Sequence, residues 1–148
     1  MRLTKMIAPL IALALATGGV TAAAPKKAEQ HCVVVLGEEQ NMQCYSSADE
    51  VVVPQGHIKM ATLFDGGKWD GATLSIYNND TVGSCGGGVP NLGALGWDNR
   101  VSSFANHCGI LTFYYGTNYC CAMSPGYGQG WFSFTGTTMD NNMSSLRW

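Results

Sequence analysis

Apolar residues in this chain fall into short runs rich in Val, Thr, Tyr and Phe, separated by clusters of Gly, Asn, Asp and Ser. His31 to Leu36 carries Cys32 followed by Val33-Val34-Val35, and Met60 to Phe64 is a second short run. Trp69 to Ile76, Val101 to Phe104, Ile110 to Tyr114 and Tyr119 to Met123 continue the series. Runs of this length and content predict β-strands. Asp65-Gly66-Gly67, Asn78-Asn79-Asp80, Gly86-Gly87-Gly88 and Gly116-Thr117-Asn118 predict the turns between them. Ser47-Ala48-Asp49-Glu50 fits a capping box, and Val51-Val52-Val53-Pro54 limits any helix there to a turn or two. Leu92 to Trp97 predicts a short helical or irregular turn. Trp131-Phe132-Ser133-Phe134 fits a half-buried strand; with Tyr127, the same aromatics could instead grip a glycan or a protein.

The beginning of the chain departs from this pattern. Arg2 and Lys5 precede an apolar run from Met6 to Ala16, followed by small residues through Ala24. Such a segment predicts an export signal over residues 1–23 and is too short to span a bilayer. Residues 24–57 are then an N-terminal extension with a cysteine-closed loop, and 58–148 the main domain. The mature protein is expected to be secreted, with no membrane span.

Composition narrows the function. Charged residues make up 12% of the chain and the net charge is −2, which excludes the basic face that nucleic-acid binding needs. Six cysteines in an exported chain favour disulfides over zinc, for no Cys-x-x-Cys or paired histidine spacing occurs. Cys32–Cys44 and Cys85–Cys108 would close local loops. Cys120 and Cys121 are then left: strand neighbours face opposite ways, so one of them could instead pair with Cys85 or Cys108. Signatures of hydrolases, zinc peptidases and phosphate-binding loops are absent, which predicts a protein that is not an enzyme. Asn79-Asp80-Thr81 and Asn142-Met143-Ser144 match N-glycosylation sequons, relevant only in a eukaryotic source.

A six-residue word occurs twice, as Asp98-Asn99-Arg100-Val101-Ser102-Ser103 and Asp140-Asn141-Asn142-Met143-Ser144-Ser145. Chance would give such a word at on the order of one position in ten thousand, so two copies point to a duplicated structural unit. Each copy follows an aromatic pair spaced by five, Phe64 and Trp69 in the first half, Tyr114 and Tyr119 in the second.

This arrangement resembles the βγ-crystallin superfamily. Its Greek-key motif has an aromatic, a second aromatic five on and a glycine seven on, matched by Phe64, Trp69 and Gly71. Tyr114 and Tyr119 match two positions, while Cys121 replaces the glycine, predicting a second hairpin that is distorted or held by a disulfide. The run Asn91 to Trp97 into the first word is similar to secreted actinobacterial crystallin-like proteins, a group including metalloproteinase inhibitors and killer-toxin-like proteins. The resemblance implies an all-β sandwich of two crystallin-type Greek keys, with a short N-terminal strand/helix extension and disulfides. It also implies that the words are paired clamps for Ca2+, with ligands from Asp98, Asn99 and Ser102 and from Asp140, Asn141 and Ser144. Main-chain carbonyls of Asp65 and Tyr115 would complete the sites.

Calcium takes six to eight hard oxygen ligands, which these residues can supply. Arg100 brings a cation beside one site and opposes a dication there. Asp, Asn and Ser at these positions can equally fix turns by bonding nearby amides. The expected function is non-catalytic: calcium-linked stability and binding of an extracellular partner. The alternatives are a peptidase inhibitor acting on an extracellular metalloprotease, or a killer-toxin-like antimicrobial acting on a cell-surface component.

Overall fold

The computed structural model describes residues 29–37, 42–79 and 85–148. The export signal, most of the lead before His31, the turn after Gly37 and the first sequon's Asp80-Thr81 lie outside them. Among the described residues, nine strands form two sheets. They are β1 (His31–Leu36), β2 (Gln43–Tyr45), β3 (Ile58–Phe64), β4 (Thr73–Asn78) and β5 (Gly88–Val89), then β6 (Ser103–Asn106), β7 (Thr112–Tyr114), β8 (Gly130–Ser133) and β9 (Ser145–Arg147). The larger sheet runs β2-β1-β4-β3-β6-β8, and the smaller β5-β9-β7.

The order of strands shows two Greek keys. In the first half β3 lies between β4 and β6, while β5 crosses to pair with β9 of the second half. In the second half β7 pairs with β9, while β8 crosses back to pair with β6. Each half lends one strand, β5 or β8, to the other sheet, so neither half completes a sheet alone. The chain is thus an all-β sandwich of two Greek keys. One core joins the sheets: Leu63, Ile76 and Phe104 from the larger meet Val89, Phe113 and Leu146 from the smaller, all essentially without solvent exposure.

The N-terminal extension enlarges the first sheet. β1 pairs with β4 in parallel from His31↔Thr73 to Leu36↔Asn78, and with β2 antiparallel. Its alternation sends Cys32 and Val34 into the common core. Cys32 and Cys44 stand opposite each other in register and form a disulfide, as their spacing suggested. The following segment makes one 3-10 turn over Ala48–Glu50, capped by Ser47, whose hydroxyl accepts from Asp49 N. Glu50 takes a hydrogen bond from the Ser46 hydroxyl at 2.9 Å. Leu92–Leu95 forms a second 3-10 turn, capped by Asn91.

Two strand expectations require correction. Trp69 to Gly71 is turn, with Trp69 at φ 58° and Gly71 at φ 81°, and the strand begins only at Thr73. Tyr119 to Met123 forms no strand. Tyr119 and Cys121 have φ of 58° and 76°, and a single bridge, Tyr114↔Met123, remains of the pairing. The apolar content of Tyr-Cys-Cys-Ala-Met suggested a strand, but the left-handed residues turn the backbone out of it.

Cys85–Cys108 is the second disulfide and Cys120–Cys121 the third. The opposed directions expected of strand neighbours do not apply to Cys120 and Cys121, because they sit in this turn.

Candidate functional site: the paired clamps

The two words meet about a local two-fold. Asn99 N donates to Met143 O at 3.0 Å, and Asn141 N donates to Val101 O at 3.1 Å. Both asparagines take a left-handed conformation, at φ 52° and 54°. Asn tolerates that region better than most residues with a side chain, which accounts for the second position of the word.

The fifth and sixth positions hold the hairpins. Ser102 N donates to Phe64 O at 2.9 Å and Ser144 N to Tyr114 O at 3.0 Å. Ser103 Oγ donates to Gly66 O at 2.5 Å and accepts from Trp69 N at 3.1 Å. In the second half Ser145 Oγ donates to Gly116 O at 2.6 Å and accepts from Tyr119 N at 3.1 Å. Each hairpin folds over its sheet and is fastened there by the last serine of its word. The second aromatic of each pair, Trp69 or Tyr119, supplies the left-handed turn residue that this fold requires. Burial pushes the Tyr119 phenol up, Arg147 opposes this, and Tyr114 adds to it. The Arg147 guanidinium lies 5.7 Å from the Tyr119 ring centre.

These structural duties leave part of each word to spare. The carboxylates of Asp98 and Asp140 bond only the side-chain amide of the neighbouring asparagine, each at 3.1 Å, among the described residues. Ser102 Oγ donates across the two-fold to Asn141 Oδ1 at 3.2 Å. An aspartate, an asparagine amide oxygen and a buried serine hydroxyl from different words therefore collect on one side of the clamp pair. Asp65 and Tyr115 lie in the two hairpins beside it, donating their own amides to Ala72 O and Ala122 O.

The hairpins differ at several matched positions, Asp65 against Tyr115 and Gly71 against Cys121 among them. Asp65 Oδ1 accepts from Ala72 N at 2.7 Å and fills the space under Gly71, where a Cβ would stand 2.3 Å from that oxygen. Its Oδ2 takes an ion pair from Arg100 Nη2 at 2.9 Å, while Arg100 Nη1 reaches Gly96 O at 2.9 Å. The guanidinium also lies 4.6 Å from the Trp97 ring centre. In the second half Tyr115 replaces Asp65 and sends its hydroxyl to Thr138 Oγ1 at 3.3 Å. No carboxylate folds beneath the turn, so Cys121 can carry a Cβ at φ 76°. The second hairpin keeps the bonds of the first, with Gly116 N to Cys120 O at 3.2 Å matching Gly66 N to Asp70 O at 3.1 Å, and holds a disulfide besides. Asn142 occupies the place of Arg100 and donates to Thr138 O at 3.2 Å.

Among the described residues no three His, Cys, Asp or Glu side chains converge on one point. All six cysteines are disulfide-bonded, and no helix among the described residues is long and apolar enough to cross a membrane. No protein-family model matches the chain, and no curated protein does. Among solved structures it is similar to a βγ-crystallin from an archaeon, at 21% identity and a TM-score of 0.47, covering 60% of this chain and 95% of that one.

Proposed function

We propose that this is an extracellular, non-catalytic binding module that takes Ca2+ at the paired clamps and is stabilised by it. One observation carries the reading: the two words cross at Asn99–Met143 and Asn141–Val101, and the carboxylates of Asp98 and Asp140 bond only the neighbouring asparagine side chains among the described residues. The donor set is oxygen throughout, which suits a hard cation. Asp98, Asn99, Ser102, Asp140, Asn141 and Ser144 would hold the ion, with the carbonyls of Asp65 and Tyr115. Bound calcium would supply charge neutralisation and a cross-link between the halves.

Few carboxylates face the clamps, which places the affinity with extracellular calcium modules, about 10⁻⁴–10⁻³ M, rather than with intracellular sensors. The two sites should be unequal. The site drawing on Asp65 already contains the Arg100 guanidinium, whereas neutral Asn142 stands at the matching place beside Tyr115. The Tyr115 side is the stronger site.

The test is calorimetric titration of calcium into chelator-treated protein, with a melt at each calcium level. A single dominant binding event and a rising Tm are expected; neither heat nor a Tm change would overturn the reading. A thermolysin-type protease assayed with equimolar protein separates the inhibitor alternative: the calcium module leaves its turnover unchanged.

A further inference from the structure

The outward face of the six-stranded sheet carries features that the clamps do not explain. The strand registers place Val33, Ser75, Thr62, Ala105 and Trp131 in one row across β1, β4, β3, β6 and β8. Small side chains occupy the middle of the row and a tryptophan stands at one end, so the face is a trough rather than a flat sheet. The adjoining cavity measures about 500 Å³ and is walled on the far side by Ala48 and Val51 of the N-terminal extension. That volume lies within the ordinary range for small-molecule sites, about 300–1,000 Å³.

Trp69 lines the cavity, and a second exposed tryptophan, Trp131 of β8, stands against it at the end of the row. Trp131 is 59% exposed and Trp69 45%. Single exposed apolar residues are common and need no explanation, but these two touch and are held in place. Their ring centres lie 5.9 Å apart at 86°, with Phe64 a further contact of Trp131 at 6.1 Å. Trp69 is fixed at both ends: its backbone N donates to Ser103 Oγ, and its indole Nε1 donates to Phe132 O at 3.3 Å. The aromatic surface is therefore formed before any ligand arrives, which lowers the ordering cost of binding.

The floor decides the chemistry. Thr62 and Ser75 bring their hydroxyls within 3.5 Å of each other, and Thr73 Oγ1 contacts His31 Nδ1 at 3.1 Å. The exposed Asp70 carboxylate lines the mouth beside Trp69. Each of these hydroxyls has a neighbour yet keeps a further lone pair, which an apolar peptide side chain laid over this floor would leave unused. A pyranose has an apolar C–H face for an indole ring and a rim of hydroxyls that both donate and accept. Glu29 and Asp70 against Lys59 give the cavity charges of both signs with an acidic excess, which disfavours an anionic ligand.

We propose that this trough binds a neutral, equatorially substituted saccharide, stacked on Trp131 and Trp69 and hydrogen-bonded by Asp70 and the Thr62, Thr73 and Ser75 hydroxyls. The proposal is independent of calcium. Its test is titration of the full mature protein with cellotetraose, chitotetraose and laminaritetraose, read by tryptophan fluorescence and calorimetry. At least one should bind. Trp131→Ala should weaken that binding about tenfold or more, as loss of a central aromatic anchor does, with the melting temperature retained. Asp70→Asn, a nearly isosteric change, should weaken it by a smaller factor. Failure of all three sugars to bind, or equal binding by Trp131→Ala, overturns the proposal. So does a Trp131-dependent self-association in sedimentation with no saccharide response, which would make the rim a protein contact.

Discussion

At the scale of single residues, the repeated word separates into parts with different duties. Its second position supplies a left-handed asparagine, and its sixth a serine whose hydroxyl bonds two backbone groups of a folded hairpin. Ser103 is fully buried, so Ser103→Ala should leave Gly66 O and Trp69 N short of a partner and cost about 1–3 kcal/mol. Ser145→Ala should cost a similar amount, and paired denaturant titrations measure both. Arg100 has the opposite character. Its pair with Asp65 is partly exposed, so Arg100→Asn should cost at most about 1 kcal/mol of stability. The same change should raise the number of calcium ions bound in a titration, because it removes a fixed cation from the Asp65 side. Unchanged stoichiometry in a variant that still binds one ion would show that Arg100 does not limit that site. These parts were only partly legible in the sequence. Spacing disclosed the word, but the sharing of Asp65 between Arg100 and the space under Gly71 depends on residues 35 and 6 positions away folding back together.

At the scale of elements, the halves show how one fold tolerates different residues at matched positions. Gly71 is required twice over, by its φ of 81° and by the Asp65 carboxylate beneath it. Gly71→Ala should therefore cost about 2 kcal/mol or more. Adding Asp65→Ala should recover part of that loss, leaving the backbone share, as a double-mutant cycle of unfolding free energies would show. The sequence marked Cys121 as a departure from the motif, and the structure gives the reason it is tolerated: Tyr115 contacts Thr138 and places no carboxylate beneath the turn. Strand boundaries were the less legible part. Trp69 and Tyr119 are good strand formers by composition, yet each serves as a turn residue because a serine 34 or 26 positions later holds its amide. Local pattern carries no trace of a bond so distant. Short apolar runs did locate β1 and β3, whose consecutive residues are buried on both faces, and the expected half-burial holds for β8, which alternates between part-buried and exposed.

At the scale of the molecule, the exchange of β5 and β8 makes the halves interdependent, and the clamps lie where they meet. A cation held by both words would connect the halves at the point where Asn99 and Asn141 already cross. Because only the folded arrangement gathers these oxygens, binding should appear as added stability: one site at a hundredfold excess of ion over Kd adds about 2.7 kcal/mol. The order of the strands was foreshadowed by the repeat, while the parallel joining of β1 to β4 was not, since nothing in residues 31–36 specifies which edge they extend. The most direct measurement of the central claim is the melting temperature of chelator-treated protein as calcium is raised to 10 mM, with magnesium as the control. The account predicts a saturating rise with calcium that Asp98→Ala and Asp140→Ala diminish, and little response to magnesium. A Tm that stays constant with calcium, or rises equally in the two aspartate variants, would contradict it.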